Sequence, residues 1–107
     1  MRILKLLAPL CLCTAVPLHA APPDPEALAR SRQCFTCHAV DTTTYAPSFK
    51  DIAHKYSAKS DVEMLMKKLQ NGGPQHWGDL AMPSSKMLGK PMTDEEARTL
   101  VLWVLSR

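Results

Sequence analysis

The chain has 107 residues, with 13 Lys and Arg against 10 Asp and Glu, 4 Cys, 9 Pro and only 4 Gly. That length supports one compact domain and not two, and a formal charge of +3 with 6% aromatic residues is too mild for a nucleic-acid-binding surface. The apolar residues, 46% of the chain, form no series of membrane-length runs, which excludes a multi-span membrane protein.

Residues 1–20 read as an export signal. Arg2 and Lys5 give a cationic start, Leu6 to Val16 is apolar, Pro17 ends the run, and Leu18-His19-Ala20 offers cleavage after Ala20. The apolar run is shorter than the roughly 20 residues a membrane span needs, so cleavage is expected, leaving residues 21–107 as a single domain with no membrane span. Cys11 and Cys13 leave with the signal, and large leucines precede both, unlike a lipid-attachment site. Cleavage also removes two basic residues and no acidic one, so the mature charge falls to about +1. Only Cys34 and Cys37 remain. In the oxidising space outside the cytoplasm such a close thiol pair does not stay free, so a partner must hold it.

Asp24 followed by Pro25 marks a helix start running through Leu28 towards the cysteines. Residues 39–47 are irregular. Ser48 with Asp51 caps a short helix carrying Phe49, Ile52, Ala53 and Tyr56. Ser60 and Glu63 form a capping box before Val62, Leu65, Met66 and Leu69, the clearest helical stripe of the chain, which stops at Asn71-Gly72-Gly73-Pro74. Turn residues then recur through 71–92, predicting a long structureless loop, and such loops are functional or disordered. Thr93 and Glu96 open a last helix with Ala97, Leu100, Val101, Val104 and Leu105 on one face. No alternating strand pattern appears, so the fold class is all-α, with four to five short helices.

Cys34-Phe35-Thr36-Cys37-His38 is C-x-x-C-H, the attachment sequence for c-type haem. At about 100° per residue along a helix, both thiols and the imidazole project within an arc of roughly 100°. Two thiols so placed add to the two vinyl groups on one porphyrin edge, and the adjacent imidazole is carried under the ring towards iron. A thioredoxin-type pair would need βαβ units that the helical pattern lacks, and zinc would need a second ligand pair. The candidates for the sixth iron ligand are Met82, Met87, His54 and His76. Met66 belongs to the helix stripe, Met64 lies off it, and Met92 precedes a cap where an apolar residue packs. Met82 sits before Pro83 in the long loop, where an extended backbone lets a thioether reach over a ring; pattern alone puts it only slightly ahead of Met87.

Cys34 to His38, Ala46-Pro47, Ser48 to Ile52, Asn71-Gly72, Trp77-Gly78, Ala81-Met82-Pro83 and the stretch from Asp94 to Leu105 together resemble the small bacterial class I cytochromes c, of the cytochrome c-551 type. The resemblance covers the mature chain in order. It implies a class I cytochrome c fold wrapped around one covalently bound haem c, with His38 and Met82 as axial ligands of a low-spin iron. It implies a periplasmic monomer that is no enzyme and carries single electrons between transient membrane or periplasmic protein partners, a donor and a terminal reductase or oxidase. By the same resemblance, the Pro47 carbonyl accepts a hydrogen bond from His38, the Trp77 indole reaches a haem propionate, and Lys68 stands where relatives carry a propionate-binding arginine. Ala46 departs from the glycine that relatives often place before the proline. Phe35, Leu65, Leu69, Leu100 and Trp103 are expected around the ring, and Lys50, Lys55, Lys59, Lys86 and Lys90 as a docking ring. Two other readings are an electron-transfer subunit docked on a larger oxidoreductase, and a haem peroxidase or gas sensor with a displaceable sixth ligand.

Overall fold

A computed structural model describes residues 11–18, 23–74, 77–78 and 80–107. Of the expected export signal, residues 1–10 and 19–20 lie outside the described residues, and so does His76; residues 11–18 are exposed and form no regular element. Four α-helices occur among the described residues: α1 (Pro25–Ser31), α2 (Phe49–Lys55), α3 (Lys59–Asn71) and α4 (Asp94–Leu105). No strand occurs among the described residues, and none of their helices is long and apolar enough to cross a membrane.

Each helix starts where a local donor or acceptor lets it. The Asp24 carboxylate accepts the Ala27 N–H at 3.2 Å, and Pro25 occupies the first position of α1, where no N–H is needed. Ser48 Oγ accepts the Asp51 N–H at 3.1 Å. At α4 the capping box is complete: Thr93 Oγ1 accepts the Glu96 N–H at 3.2 Å and the Glu96 carboxylate accepts the Thr93 N–H at 3.0 Å. The start of α3 differs from the sequence expectation. The helix begins at Lys59, not after Ser60, because the Asp61 carboxylate reaches back to the Ala58 N–H at 2.9 Å. Ala58 has no side-chain acceptor to answer it, so only half of a capping box forms, two residues ahead of the Ser60 and Glu63 pattern.

Helix α1 stops before the cysteines. Gln33 takes a left-handed backbone (φ 62°), and Cys34–Thr36 form a separate 3-10 turn. The Cys34 carbonyl accepts the N–H groups of both Cys37 (3.4 Å) and His38 (3.0 Å), which winds thiols and imidazole into one tight turn instead of a continued helix.

Helices α1, α2 and α3 all pack against α4. One apolar cluster joins Leu28, Ala29 and Leu100; the other joins Met66, Ala97 and Val101, with Val62, Leu65 and Leu69 partly buried beside it. The α4 stripe Ala97, Leu100, Val101 is thus buried as its spacing predicts, and each large aliphatic side chain so removed from water contributes roughly 1.5–3 kcal/mol. Met92 packs against the cluster containing Ala97, closing the entry to α4 as a hydrophobic staple.

The loop 71–92 is not structureless. Gly73 and Met82 exchange two backbone hydrogen bonds, 2.9 and 3.1 Å, as an antiparallel pair. Beyond Pro83 the buried Ser84 and Ser85 organise a turn: Ser84 Oγ accepts the Met87 N–H at 3.0 Å, and Ser85 Oγ accepts the Met92 N–H at 3.1 Å while donating to the Gln70 carbonyl at 3.4 Å. Gly72 (φ 67°) makes this close approach possible. A Cβ there would lie 2.6 Å from the Ser84 nitrogen and 2.9 Å from the Pro83 carbonyl carbon, and closer still to the Met82 oxygen. All three obstacles are backbone, so Gly72→Ala is expected to push the Met82 segment away from α3. The clash and the left-handed strain together destabilise by roughly 2–4 kcal/mol, read as a fall in the midpoint of thermal unfolding.

Candidate functional site

The helices and the loop enclose a cavity of about 460 Å³, lined mostly by apolar side chains. Its volume lies in the range of pockets that bury a cofactor-sized ligand. Cys34, Cys37, His38, Pro47, Lys68, Trp77 and Met82 all stand in its wall, together with Leu65, Leu69, Leu100 and Trp103. Residues as far apart in the sequence as Cys34 and Trp103 are thereby gathered round one space. Phe35 is the exception among the expected ring neighbours: it is absent from the wall and packs behind it, edge-on to Phe49 (5.6 Å between centroids) and Trp103 (6.2 Å), with Arg30 over its face.

His38 is held from two sides. Its Nδ1 lies 2.7 Å from the Pro47 carbonyl oxygen, and its ring stacks on Phe49 with centroids 5.3 Å apart. A carbonyl only accepts, so Nδ1 carries the proton and Nε2 is left with a lone pair. Burial pushes the imidazole below its ordinary pKa, with the Pro47 contact acting the other way, so the ring stays neutral at physiological pH. A neutral, oriented imidazole with one bare nitrogen is what a metal ligand requires. Ala46 in place of glycine does not prevent the Pro47 contact.

Cys34 is partly buried and Cys37 exposed, and neither forms a disulfide. Burial pushes the Cys34 thiol up, opposed by its backbone hydrogen bond and by Arg32. The donor set of the cavity is therefore two thiols, an imidazole nitrogen and the Met82 thioether in an apolar wall, which fits a covalently attached iron porphyrin.

Among the sixth-ligand candidates the cavity separates Met82 from Met87 and His54, while His76 lies outside the described residues. Met82 is half-buried in the wall, whereas Met87 is 81% exposed and lies outside it, as does the exposed His54. Trp77 borders the cavity with the Lys55 ammonium over its ring at 4.4 Å. Lys68 Nζ donates to the Gly73 carbonyl at 3.3 Å and the Pro74 carbonyl at 3.0 Å. All five lysines of the expected docking ring are exposed; Lys50 pairs with Asp41, and Lys90 borders the cavity.

Sequence reasoning missed Arg32. It lies in the cavity wall, 13% exposed, donating to both Glu96 carboxylate oxygens at 2.7 Å and to the Lys90 carbonyl at 2.6 Å. The segment bearing the cysteines is thereby fastened to the end of the loop and to the start of α4. The Arg32 guanidinium, and then the Thr93 N–H, hold the Glu96 carboxyl below the usual glutamate range, against a smaller opposing effect of burial. A carboxyl depressed in the folded state stabilises fully above its unfolded value, about 4.3, and loses that stabilisation as pH falls through the lower folded value. Glu96→Gln is therefore expected to cost roughly 1 kcal/mol at neutral pH and to flatten the fall in thermal stability below about pH 4, measured as unfolding midpoint against pH.

Comparison with known proteins follows the geometry. The sequence profile of the cytochrome c family matches residues 26–107. The chain is 35% identical over 108 residues to cytochrome c-551 of Pseudomonas aeruginosa, covering 100% of this chain and 99% of that protein. Among solved structures, cytochrome c552 of Nitrosomonas europaea superposes with a TM-score of 0.66 at 34% identity, covering 76% of this chain and 96% of the other. A class 1 cytochrome from Sideroxydans lithotrophicus superposes with a TM-score of 0.62 at 29% identity, covering 77% and 90%.

Proposed function

From the premise that this chain belongs to the cytochrome c family, we propose that it is a periplasmic one-electron carrier whose iron is ligated by His38 and Met82. The chain has the all-α class I fold of that family and carries haem c, bound covalently through Cys34 and Cys37. When bound, the haem supplies the Fe(III)/Fe(II) couple.

The protein's own residues do the holding and tuning. His38 would hold the iron through Nε2, its ring fixed by Pro47 and Phe49. Met82 would supply the second iron ligand, a thioether, which favours the ferrous state and would raise the potential. The apolar wall of Leu65, Leu69, Leu100 and Trp103 would limit water around the haem, and its low polarity would also favour the less charged ferrous state. His38 and Met82 would together leave no position open to a substrate, so the haem would supply electron transfer alone.

The observation that carries this reading is the fastening of Met82 in the cavity wall. Its N–H and carbonyl are both bonded to Gly73, whereas a peroxidase or gas sensor needs an open or displaceable sixth site. We further propose that residues 1–20 are removed on export, that the domain comprises residues 21–107, and that the mature protein acts as a monomer. Tyr45 and Leu80, exposed at the cavity border, suit brief contact with membrane or periplasmic redox proteins through a small interface. Redox titration of the purified protein followed by its optical spectrum tests the carrier reading. One reversible one-electron step between two low-spin states, with a methionine-to-iron charge-transfer band in the oxidised form, is expected; a high-spin form in either state contradicts it.

A further inference from the structure

The sequence resemblance directs Lys68 towards a propionate, yet its ammonium is engaged by backbone. It donates to the Gly73 carbonyl at 3.3 Å and to the Pro74 carbonyl at 3.0 Å. Gly73 is also the residue paired with Met82: the same Gly73 oxygen accepts the Met82 N–H at 3.1 Å, and the Gly73 N–H donates to the Met82 oxygen at 2.9 Å. One carbonyl therefore receives two donors on its two lone pairs, one from Lys68 and one from the backbone of the residue that approaches iron.

The turn that carries this carbonyl has little stiffness of its own. Gly72 (φ 67°) and Gly73 (φ 118°) are consecutive glycines in conformations that other residues seldom adopt, and glycine has the largest backbone freedom to lose. Lys68 lies in the last turn of α3, where a cation is favoured by the outward-pointing carbonyls of the helix end. Its stem rises from the rigid helix, so its charge ties the flexible turn to a fixed element. On the reading that Met82 is the sixth ligand, we propose that Lys68 is a positioning residue for it. By fixing the Gly72-Gly73-Pro74 turn, it holds the Met82 backbone and sets how readily the thioether leaves iron.

The test uses the ferric holoprotein with imidazole as competing ligand, and amide hydrogen exchange at Met82 in the reduced holoprotein. Lys68→Met keeps the unbranched stem and removes the donors. It is expected to raise the rate of methionine displacement at saturating imidazole, and exchange of the Met82 amide, by about tenfold, the scale of one lost charged hydrogen bond. Core amides of α1 and α4 should keep their protection, and Lys68→Arg should restore most of both rates. Displacement and exchange within twofold of wild type in Lys68→Met overturn the proposal; if the pH dependence of the midpoint potential moves instead, Lys68 serves a propionate. A wild-type ferric protein without a methionine-to-iron band fails at an earlier point, since it overturns the ligand assignment on which the positioning role rests.

Discussion

Met82→Ala is expected to leave a folded, haem-bearing protein that no longer behaves as a closed carrier. The haem stays attached because Cys34 and Cys37 are untouched, and the backbone pairing of residue 82 with Gly73 needs no side chain. What disappears is the thioether in the cavity wall. The methionine-to-iron charge-transfer band should vanish, the sixth position should admit water or added ligands, and the midpoint potential should fall by a sizeable part of the roughly 0.8 V that axial ligation spans. Met87→Ala is the control. That side chain is exposed and outside the cavity, so the band and potential should be unchanged; loss of the band in Met87→Ala would reverse the assignment.

Replacing both Cys34 and Cys37 by serine is expected to cost the fold as well as the attachment. The cavity of about 460 Å³ is too large for the surrounding side chains to fill. At about 24 cal/mol per Å³ it would cost up to roughly 11 kcal/mol, an upper bound because water enters its open side. A domain of this size has a total stability of only about 5–15 kcal/mol. Without a tethered ring, α3 and the 71–92 loop lose the surface that Leu65, Leu69 and Met82 would pack against. The double variant should therefore show no mass increment for haem and a far-ultraviolet dichroism spectrum depleted of helix. Either single variant should retain one thioether and most of the fold. A well-folded helical double variant lacking haem would show that the protein core alone sustains the structure.

Where the sequence foretold the structure, the signal was local. Ser48 and the Thr93 and Glu96 pair cap their helices as their spacing demands, since each cap needs only three residues in helical register. The C-x-x-C-H turn is legible for the same reason, although it is wound as a 3-10 turn after a left-handed Gln33 and not as an extension of α1. The start of α3 was misread because Ala58 offers no side chain to mark it, while Ser60 and Glu63 mimic a box inside the helix. Contacts between distant segments left no such trace. The Gly73 and Met82 pairing depends on a glycine at position 72 with no Cβ to obstruct it, and Arg32 meets Glu96 across 64 positions. Only Ser84-Ser85 after Pro83, two small hydroxyl residues able to bond backbone, hinted that the loop is ordered.

The central claim is that iron is closed on both faces by His38 and Met82. Exposing the reduced, purified protein to carbon monoxide and recording its optical spectrum tests this most directly. The account predicts a spectrum unchanged by the gas at neutral pH, with only Met82→Ala forming the adduct. Rapid formation of a carbon monoxide complex by the wild-type protein would contradict it and mark the site as one that binds ligands.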